Sequence, residues 1–254
     1  MSVPSDRLDV LGVGVSPVNM EMAAAELHRW IAEGRRSYAM LTGMHGVMEA
    51  VRDERVRAAY NGSGLSLPDG MPMVWLLWQA GFAQADRVYG PDLMLDMFDR
   101  SQAAGYRHFL YGATEATLDA LEANLLGRFP GAQLVGRHAP PFRPAGAAED
   151  EAVIGAINAA RPDIIWVGLS TPKQDLWMAR HRPLLDAAAL IGVGAAFDFH
   201  AGHLRQAPRW IQRAGLEWAF RMAMEPKRLA KRYIFNIPPF LLRVAAQKLG
   251  FRPR

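Results

Sequence analysis

Leu65-Ser66-Leu67-Pro68-Asp69-Gly70-Met71-Pro72 is an apolar run that breaks abruptly at an acid held between proline and glycine. The pattern reads as a strand ending on a stiff turn that pushes a carboxylate outward, which is how α/β enzymes present a base to substrate. An ordinary strand-ending turn, in which Asp69 bonds only its neighbouring amides, fits the same eight residues. The rest of the chain has to separate the two.

Upstream, Leu8 to Val15 reads as a strand and Met20 to Glu33 as a helix with apolar residues at Met20, Ala23, Ala24, Leu27, Trp30 and Ile31. Ser37 to Thr42 reads as the next strand, and Gly46 to Tyr60 as a helix leading into the Asp69 strand. Downstream the alternation continues, with helices at Gly90 to Ala104, Glu115 to Phe129, Glu149 to Ala160 and Lys173 to His181. The strands between them are Arg107 to Tyr111, Ala132 to Arg137, Asp163 to Gly168 and Ala189 to Val193. Strands separated by helix-length segments predict βαβ units: an α/β fold with a Rossmann-like, mainly parallel sheet and helices on both faces. Ligands of such sheets collect at the carboxyl ends of the strands, where Thr42, Asp69, Gly112, Gly168 and Gly194 fall.

A chain of 254 residues, half of them hydrophobic, can bury a sizeable core as one large domain or as a domain with an appendage. There is no cysteine, so disulfides and thiolate metal sites are excluded, which fits a reducing cytosol. No signal peptide is visible, and no uninterrupted apolar run reaches the roughly 18 residues of a spanning helix. The expectation is a cytoplasmic protein, soluble or peripherally bound. The net charge of +4 conceals an uneven distribution. From His203 to the end there are 12 Lys/Arg against Glu217 and Glu225, so the tail carries about +10 and the remainder about −6. This predicts a core over residues 1–204 and a basic helical appendage over 205–254, where an anionic partner docks.

Two strand-end loops carry the features of a phosphate or nucleotide site. Tyr111-Gly112-Ala113-Thr114 leaves backbone N–H groups free at a helix start, with Thr114 as N-cap or ligand contact. It lacks the full G-x-G-x-x-G fingerprint, and a plain helix cap explains it as well. Val167-Gly168-Leu169-Ser170-Thr171-Pro172-Lys173-Gln174 adds a cation and an amide. Lys173 can balance phosphate charge and Gln174 can pair with a base or a sugar hydroxyl, and a capped helix with a solvated lysine is the alternative.

Taken together, several separated segments resemble one family. They are Thr42-Gly43-Met44-His45-Gly46-Val47-Met48-Glu49-Ala50, Leu67 to Pro72, Arg87-Val88-Tyr89-Gly90-Pro91-Asp92-Leu93-Met94, Gly168 to Gln174, Gly215-Leu216-Glu217-Trp218 and Glu225-Pro226-Lys227-Arg228. In this order, over about Val10 to Tyr233, they are similar to the WecG/TagA/CpsF glycosyltransferases, glycosyltransferase family 26. The resemblance implies inverting transfer of a hexose-type sugar from a UDP-sugar to a sugar attached to a polyprenyl diphosphate carrier. The setting it implies is the inner face of the cell membrane, in the synthesis of a cell-surface polysaccharide or related glycan.

By the same resemblance Asp69 is the general base, and Thr42 is a neighbouring polar residue that positions substrate. Arg87 matches the arginine before the Gly-x-Asp-Leu segment and neutralises diphosphate charge, and Gln174 supplies an amide contact. Arg221, Arg228 and Lys231 stand at positions often basic in the family and close over the leaving diphosphate. Many members have Thr-x-Asn where this chain reads Thr42-Gly43-Met44 followed by His45, so the asparagine contact to the sugar is missing and whether His45 takes its place is left open. The donor therefore stays open among glucose, N-acetylmannosamine and its uronic acid. Homo-oligomerisation is left open as well.

The chemistry agrees with these residue types. Inversion at an anomeric carbon needs one base for the acceptor hydroxyl and charge stabilisation for the departing diphosphate. No Asp-x-Asp motif occurs, and Asp92, Asp96 and Asp99 fit a solvated helix face. The expectation is therefore transfer without a metal or other cofactor, Arg87 and the basic tail supplying the positive charge. His45, His181, His200 and His203 lack the spacing of a zinc site apart from the last pair, and Asp198 is equally a structural acid or a ligand contact. In the tail, basic residues beside apolar faces suit an anionic membrane surface, and also a helix packed on the core or a protein contact. Pro238-Pro239 is expected to break or kink any helix there.

Two rival readings remain at this level. A nucleic-acid-binding module would explain the basic, aromatic-bearing tail, and the acidic remainder counts against it. An NAD-dependent nucleotide-sugar oxidoreductase or epimerase would share the scaffold. The chain after Gly112 lacks the second glycine, and Glu115 and Glu122 are too near to be its ribose-binding acid.

Overall fold

A computed structural model describes residues 6–141 and 147–251. The chain opens with strands β1 (Leu8–Val10) and β2 (Val13–Val15), then α1 (Met20–Ala32), β3 (Ser37–Thr42), α2 (Met44–Arg52), α3 (Glu54–Gly62) and β4 (Leu65–Pro68). It continues through α4 (Met71–Gln79), α5 (Gly90–Ala104), β5 (Arg107–Gly112), α6 (Glu115–Arg128) and β6 (Gln133–His138). Next come α7 (Ala147–Ala160), β7 (Ile164–Gly168), α8 (Lys173–His181), β8 (Ala189–Gly192) and α9 (Ala196–His200). Three helices close the described chain: α10 (Arg209–Arg213), α11 (Glu217–Met224) and α12 (Pro226–Lys248).

Six strands form one sheet in the order β4-β3-β8-β7-β5-β6, and every neighbouring pair is parallel. Parallel strands joined by helical crossovers bury both sheet faces, and the side chains alternate accordingly. Ile164 and Trp166 of β7 join one core with Leu27 and Trp30 of α1, Phe98 of α5 and Leu121 of α6. Ile165 and Val167 join the opposite core with Val47 of α2, Tyr60 of α3, Met178 of α8 and Phe240 of α12. The Rossmann-like layering expected from the alternation is thus present, and all five strand-end positions lie along one edge of the sheet.

Four local readings need correction. The Leu8 to Val15 run is not one strand but an antiparallel hairpin, β1 and β2, turning at Leu11 (φ 55°) and Gly12 (φ 88°). Two consecutive positive φ values are what a two-residue turn needs to match the twist of its strands. The Gly46 to Tyr60 helix is two helices. Asp53 separates them in an extended conformation (φ −132°), its N–H bonding back to the Glu49 carbonyl while its side chain accepts from Arg55 N. Helix α4 follows Asp69 directly, where no helix was expected, because its nearly unbroken apolar sequence has no 3.6-residue period to read.

The fourth correction is in the tail, where α12 runs through Pro238 and Pro239 without interruption. Prolines at those positions leave the carbonyls of Ile234 and Phe235 without their usual i+4 donors. Arg52 of α2 donates to the Phe235 carbonyl at 3.5 Å and to Asn236 Oδ1 at 2.7 Å, so the core supplies part of what the helix lacks. Leu229, Asn236 and Phe240 are buried on the face turned toward the core, and burying a phenylalanine is worth about 2 kcal/mol over exposing it. Gln247 adds a tie to the hairpin, accepting from Leu11 N and donating to the Asp9 carbonyl, each at 3.1 Å. The basic tail is therefore laid back across α2 and the β1–β2 hairpin. Ile234, Phe235, Leu241 and Leu242 on its other side are exposed, each by 60% or more. Among the described residues no helix is long and apolar enough to cross a membrane.

Candidate active site

The site begins with the register of β3 against β4. Thr42 pairs with Pro68, and the next amide, Asp69 N–H, donates to the Thr42 carbonyl at 3.0 Å. Gly70 then adopts φ +98°, a conformation open to glycine, and the chain enters α4 with Pro72 in its first turn. The effect is to hold the Asp69 side chain at the lip of the sheet, facing a cavity of about 230 Å3.

Asp69 is only partly open to solvent, and its Oδ1 is buried without a hydrogen-bond partner. Arg87 Nη2 stands 3.7 Å from that oxygen and 2.5 Å from Glu217 Oε2, and the guanidinium lies 4.0 Å above the Tyr89 ring. Burial pushes the Asp69 carboxyl up to about 6; Arg87 opposes that rise, Glu217 adds to it and Arg221 opposes it. A carboxylate whose proton affinity is raised in this way can accept a proton near neutral pH.

The tail forms the other wall of this cavity. Glu217, Trp218 and Arg221 of α11 line it with Tyr233 and Asn236 of α12, and Trp218 meets Tyr233 edge-on. Arg221 lies beside Phe199 and 3.9 Å from Glu225 Oε1, its Nε buried without a hydrogen-bond partner. His45 lines the cavity from α2, with Asn236 Nδ2 3.2 Å from its Nδ1. Arg228 and Lys231 fall on α12, but their side chains lie outside the described residues.

Two expected site residues sit behind the wall. Thr42 is fully buried, its hydroxyl sharing a 2.6 Å hydrogen bond with Ser66 Oγ, so it reaches the site through its carbonyl rather than by touching the cavity. Gln174 is also buried, with Oε1 unpartnered beneath Gly194. Next to it Asp175 takes the Tyr60 hydroxyl at 3.4 Å, and burial pushes its carboxyl up to about 6 against the opposing effect of the Thr171, Gln174 and Tyr60 side chains.

A second cavity of about 660 Å3 opens across the 168–171 loop. Ala113, Thr114, Gly168 and Lys173 line it, as does Asp198. Gly112 lies just beneath; a Cβ there would stand 2.6 Å from the Gly168 carbonyl oxygen, so the ends of β5 and β7 approach as closely as backbones can. Thr114 is the N-cap of α6, accepting from Thr117 N at 3.2 Å. The far wall is an aromatic stack, Tyr111 on Trp177 at 4.1 Å and Trp177 on His181 at 4.5 Å, with His181 Nε2 held by Asp150. His200 bonds the Pro91 carbonyl and is structural. Among the described residues no three His, Cys, Asp or Glu side chains gather as a metal site would.

Glu217, Tyr89 and Asn236 were not singled out from sequence for a role. Glu217 and Tyr89 were quoted within motifs and could have been taken up, whereas Asn236 gives no local signal.

A parallel α/β sheet whose strand ends place a proton-accepting carboxylate among guanidinium groups, beside an amide-edged cleft, suits a transferase with a phosphorylated substrate. The chain belongs to the WecG/TagA/CpsF family and is a glycosyltransferase, the family model matching residues 8–254. It is 28% identical over 196 residues to the N-acetylglucosaminyldiphosphoundecaprenol N-acetyl-beta-D-mannosaminyltransferase of Bacillus spizizenii, covering 77% of this chain and 74% of that one. The Bacillus subtilis enzyme of the same name is 26% identical over 200 residues, covering 78% and 75%. That of Staphylococcus aureus strain MW2 is 25% identical over 246 residues, covering 95% and 93%. Membership sets aside the oxidoreductase and nucleic-acid readings.

Proposed function

We propose that this enzyme transfers an N-acetylmannosaminyl group, with inversion, from its UDP-linked form to an N-acetylglucosaminyl residue on a polyprenyl diphosphate carrier. Among the donors the sequence leaves open, the relatives' names support the N-acetylamino sugar. The observation that carries the reading is that Asp69, its Oδ1 buried without a hydrogen-bond partner, lines the same cavity as Arg87 and Arg221. Asp69 takes the proton of the acceptor hydroxyl as that oxygen attacks the anomeric carbon. The bond from that carbon to the diphosphate oxygen breaks, and the charge left on UDP is met by Arg87 and Arg221. The nucleotide occupies the neighbouring cleft, against the amides of 112–114 and 168–170 and near Lys173. Arginines take the place that a divalent cation holds in other sugar transferases. The carrier is met at the cytoplasmic membrane face, where the exposed apolar side of α12 and the basic tail suit an anionic bilayer.

The test is a screen of UDP-sugars against a short-chain diphospholipid-linked N-acetylglucosamine, run with and without EDTA. Transfer from UDP-N-acetylmannosamine that survives EDTA is expected. Strong loss with EDTA would overturn the arginine-based stabilisation, and preference for another donor would overturn the sugar assignment.

A further inference from the structure

The Gly215-Leu216-Glu217-Trp218 segment supplies a carboxylate to the site from outside the sheet. Arg87 and Glu217 are 14% and 13% exposed, so their 2.5 Å contact is an internal pair rather than a surface ion pair. The second Glu217 oxygen accepts the Tyr89 hydroxyl at 2.9 Å, and Tyr89 itself carries the Arg87 guanidinium on its ring. Arg87 is thereby held by Glu217 and Tyr89, the same Nη2 that meets Glu217 Oε2 at 2.5 Å standing 3.7 Å, at ion-pair range, from Asp69 Oδ1.

We propose that Glu217 is a positioning residue for transfer: by holding Arg87 it keeps the guanidinium from closing onto Asp69 and so keeps that carboxylate available for the acceptor proton. The inference rests on Asp69 being the base. Charge balance makes the arrangement consequential. Asp69 is faced by Arg87, Arg221 and Glu217, with Tyr60 and Tyr89 acting at longer range. His45 also lines the cavity. On the outer side of Arg87 and Tyr89, a neighbouring hollow is lined by Asp86, Asp92, Arg209 and Arg213. With the Glu217 charge removed, Asp69 becomes the carboxylate nearest Arg87, and the guanidinium turns to it. The base then binds its proton less tightly and is tied up by the guanidinium.

The experiment is the pH profile of kcat and kcat/KM, from pH 5 to 9, for the full-length enzyme and for Glu217→Gln, Glu217→Asp and Asp69→Asn. Carboxylate titration followed by 13C NMR on the same proteins reads Asp69 without turnover. In Glu217→Gln the acid limb should move down by about one pH unit, with plateau kcat falling about tenfold. Glu217→Asp, which keeps the charge one methylene further back, should fall between the two. A uniformly lower rate with the limb in its original place would overturn the inference and make Glu217 a structural latch. Should Glu217→Gln fail to fold in thermal melting, Glu217→Asp carries the same test, an unmoved limb again overturning it. Activity retained in Asp69→Asn would remove the base reading itself. An inactive Asp69→Asn beside an unmoved Glu217→Gln limb would remove the Glu217 inference alone.

Discussion

The Asp69 amide donates to the Thr42 carbonyl at 3.0 Å, so the position of the acid is set by the last rung of the β3–β4 ladder. The side chain is free to act because the backbone is not. Asp69→Asn should keep this bond, the fold and nucleotide binding while lowering kcat by about 10^2 to 10^4. Steady-state transfer assays paired with calorimetric UDP titration check both halves; an active variant would return Asp69 to simple turn chemistry.

Asp175 gives a prediction for stability. Its carboxyl is pushed up to about 6 by burial, so the fold favours the protonated form. That contribution is fully present below the ordinary carboxylate range near 4 and is lost as pH rises through about 6. Asp175→Asn keeps an acceptor for the Tyr60 hydroxyl and carries no charge. It should be more stable than the parent at pH 8 by about 1–3 kcal/mol, with the gap closing toward pH 4. Urea unfolding at the two pH values measures it.

Gly112 sits at φ +129° against the Gly168 backbone. Gly112→Ala should force β5 and β7 apart, costing about 3 kcal/mol or more and weakening UDP binding. A lowered melting temperature with unchanged UDP affinity would show that the loop does not hold the nucleotide.

Arg52 tests how the tail is seated. Arg52→Ala removes donors to Asn236 and to the Phe235 carbonyl, both near the cavity edge. The global cost should be small, about 1 kcal/mol, because Arg52 is half exposed. Hydrogen exchange over 226–248 should nevertheless rise clearly, and unchanged protection there would count against this seat.

Much of the sheet was legible because short, wholly apolar runs at helix-length spacing leave a direct imprint: in β7 Ile164, Ile165, Trp166 and Val167 are all buried, serving two cores in turn. Asp69 was legible for a local reason, the Pro-Asp-Gly break. What escaped depends on partners distant in sequence. Thr42 looked like a polar residue at a strand end, but Ser66, 24 positions on, takes its hydroxyl. Asn236 enters the cavity because Leu229 and Phe240 seat α12 on the core, and no window around residue 236 contains that fact. Pro238-Pro239 misled for the same reason, since the donor that relieves Phe235 is 183 residues away.

Those two prolines also set a depth. A hydrocarbon layer offers no donors, and each unsatisfied backbone carbonyl taken into it costs several kcal/mol. Arg52 reaches the Phe235 carbonyl, whereas Pro238 takes the i+4 donor from the Ile234 carbonyl on the exposed side of the helix. Laid against a bilayer, α12 can sink its leucines only until that carbonyl reaches the edge of the acyl region. On the proposed membrane-facing role of the tail, the double proline is a depth stop that limits how far α12 can enter.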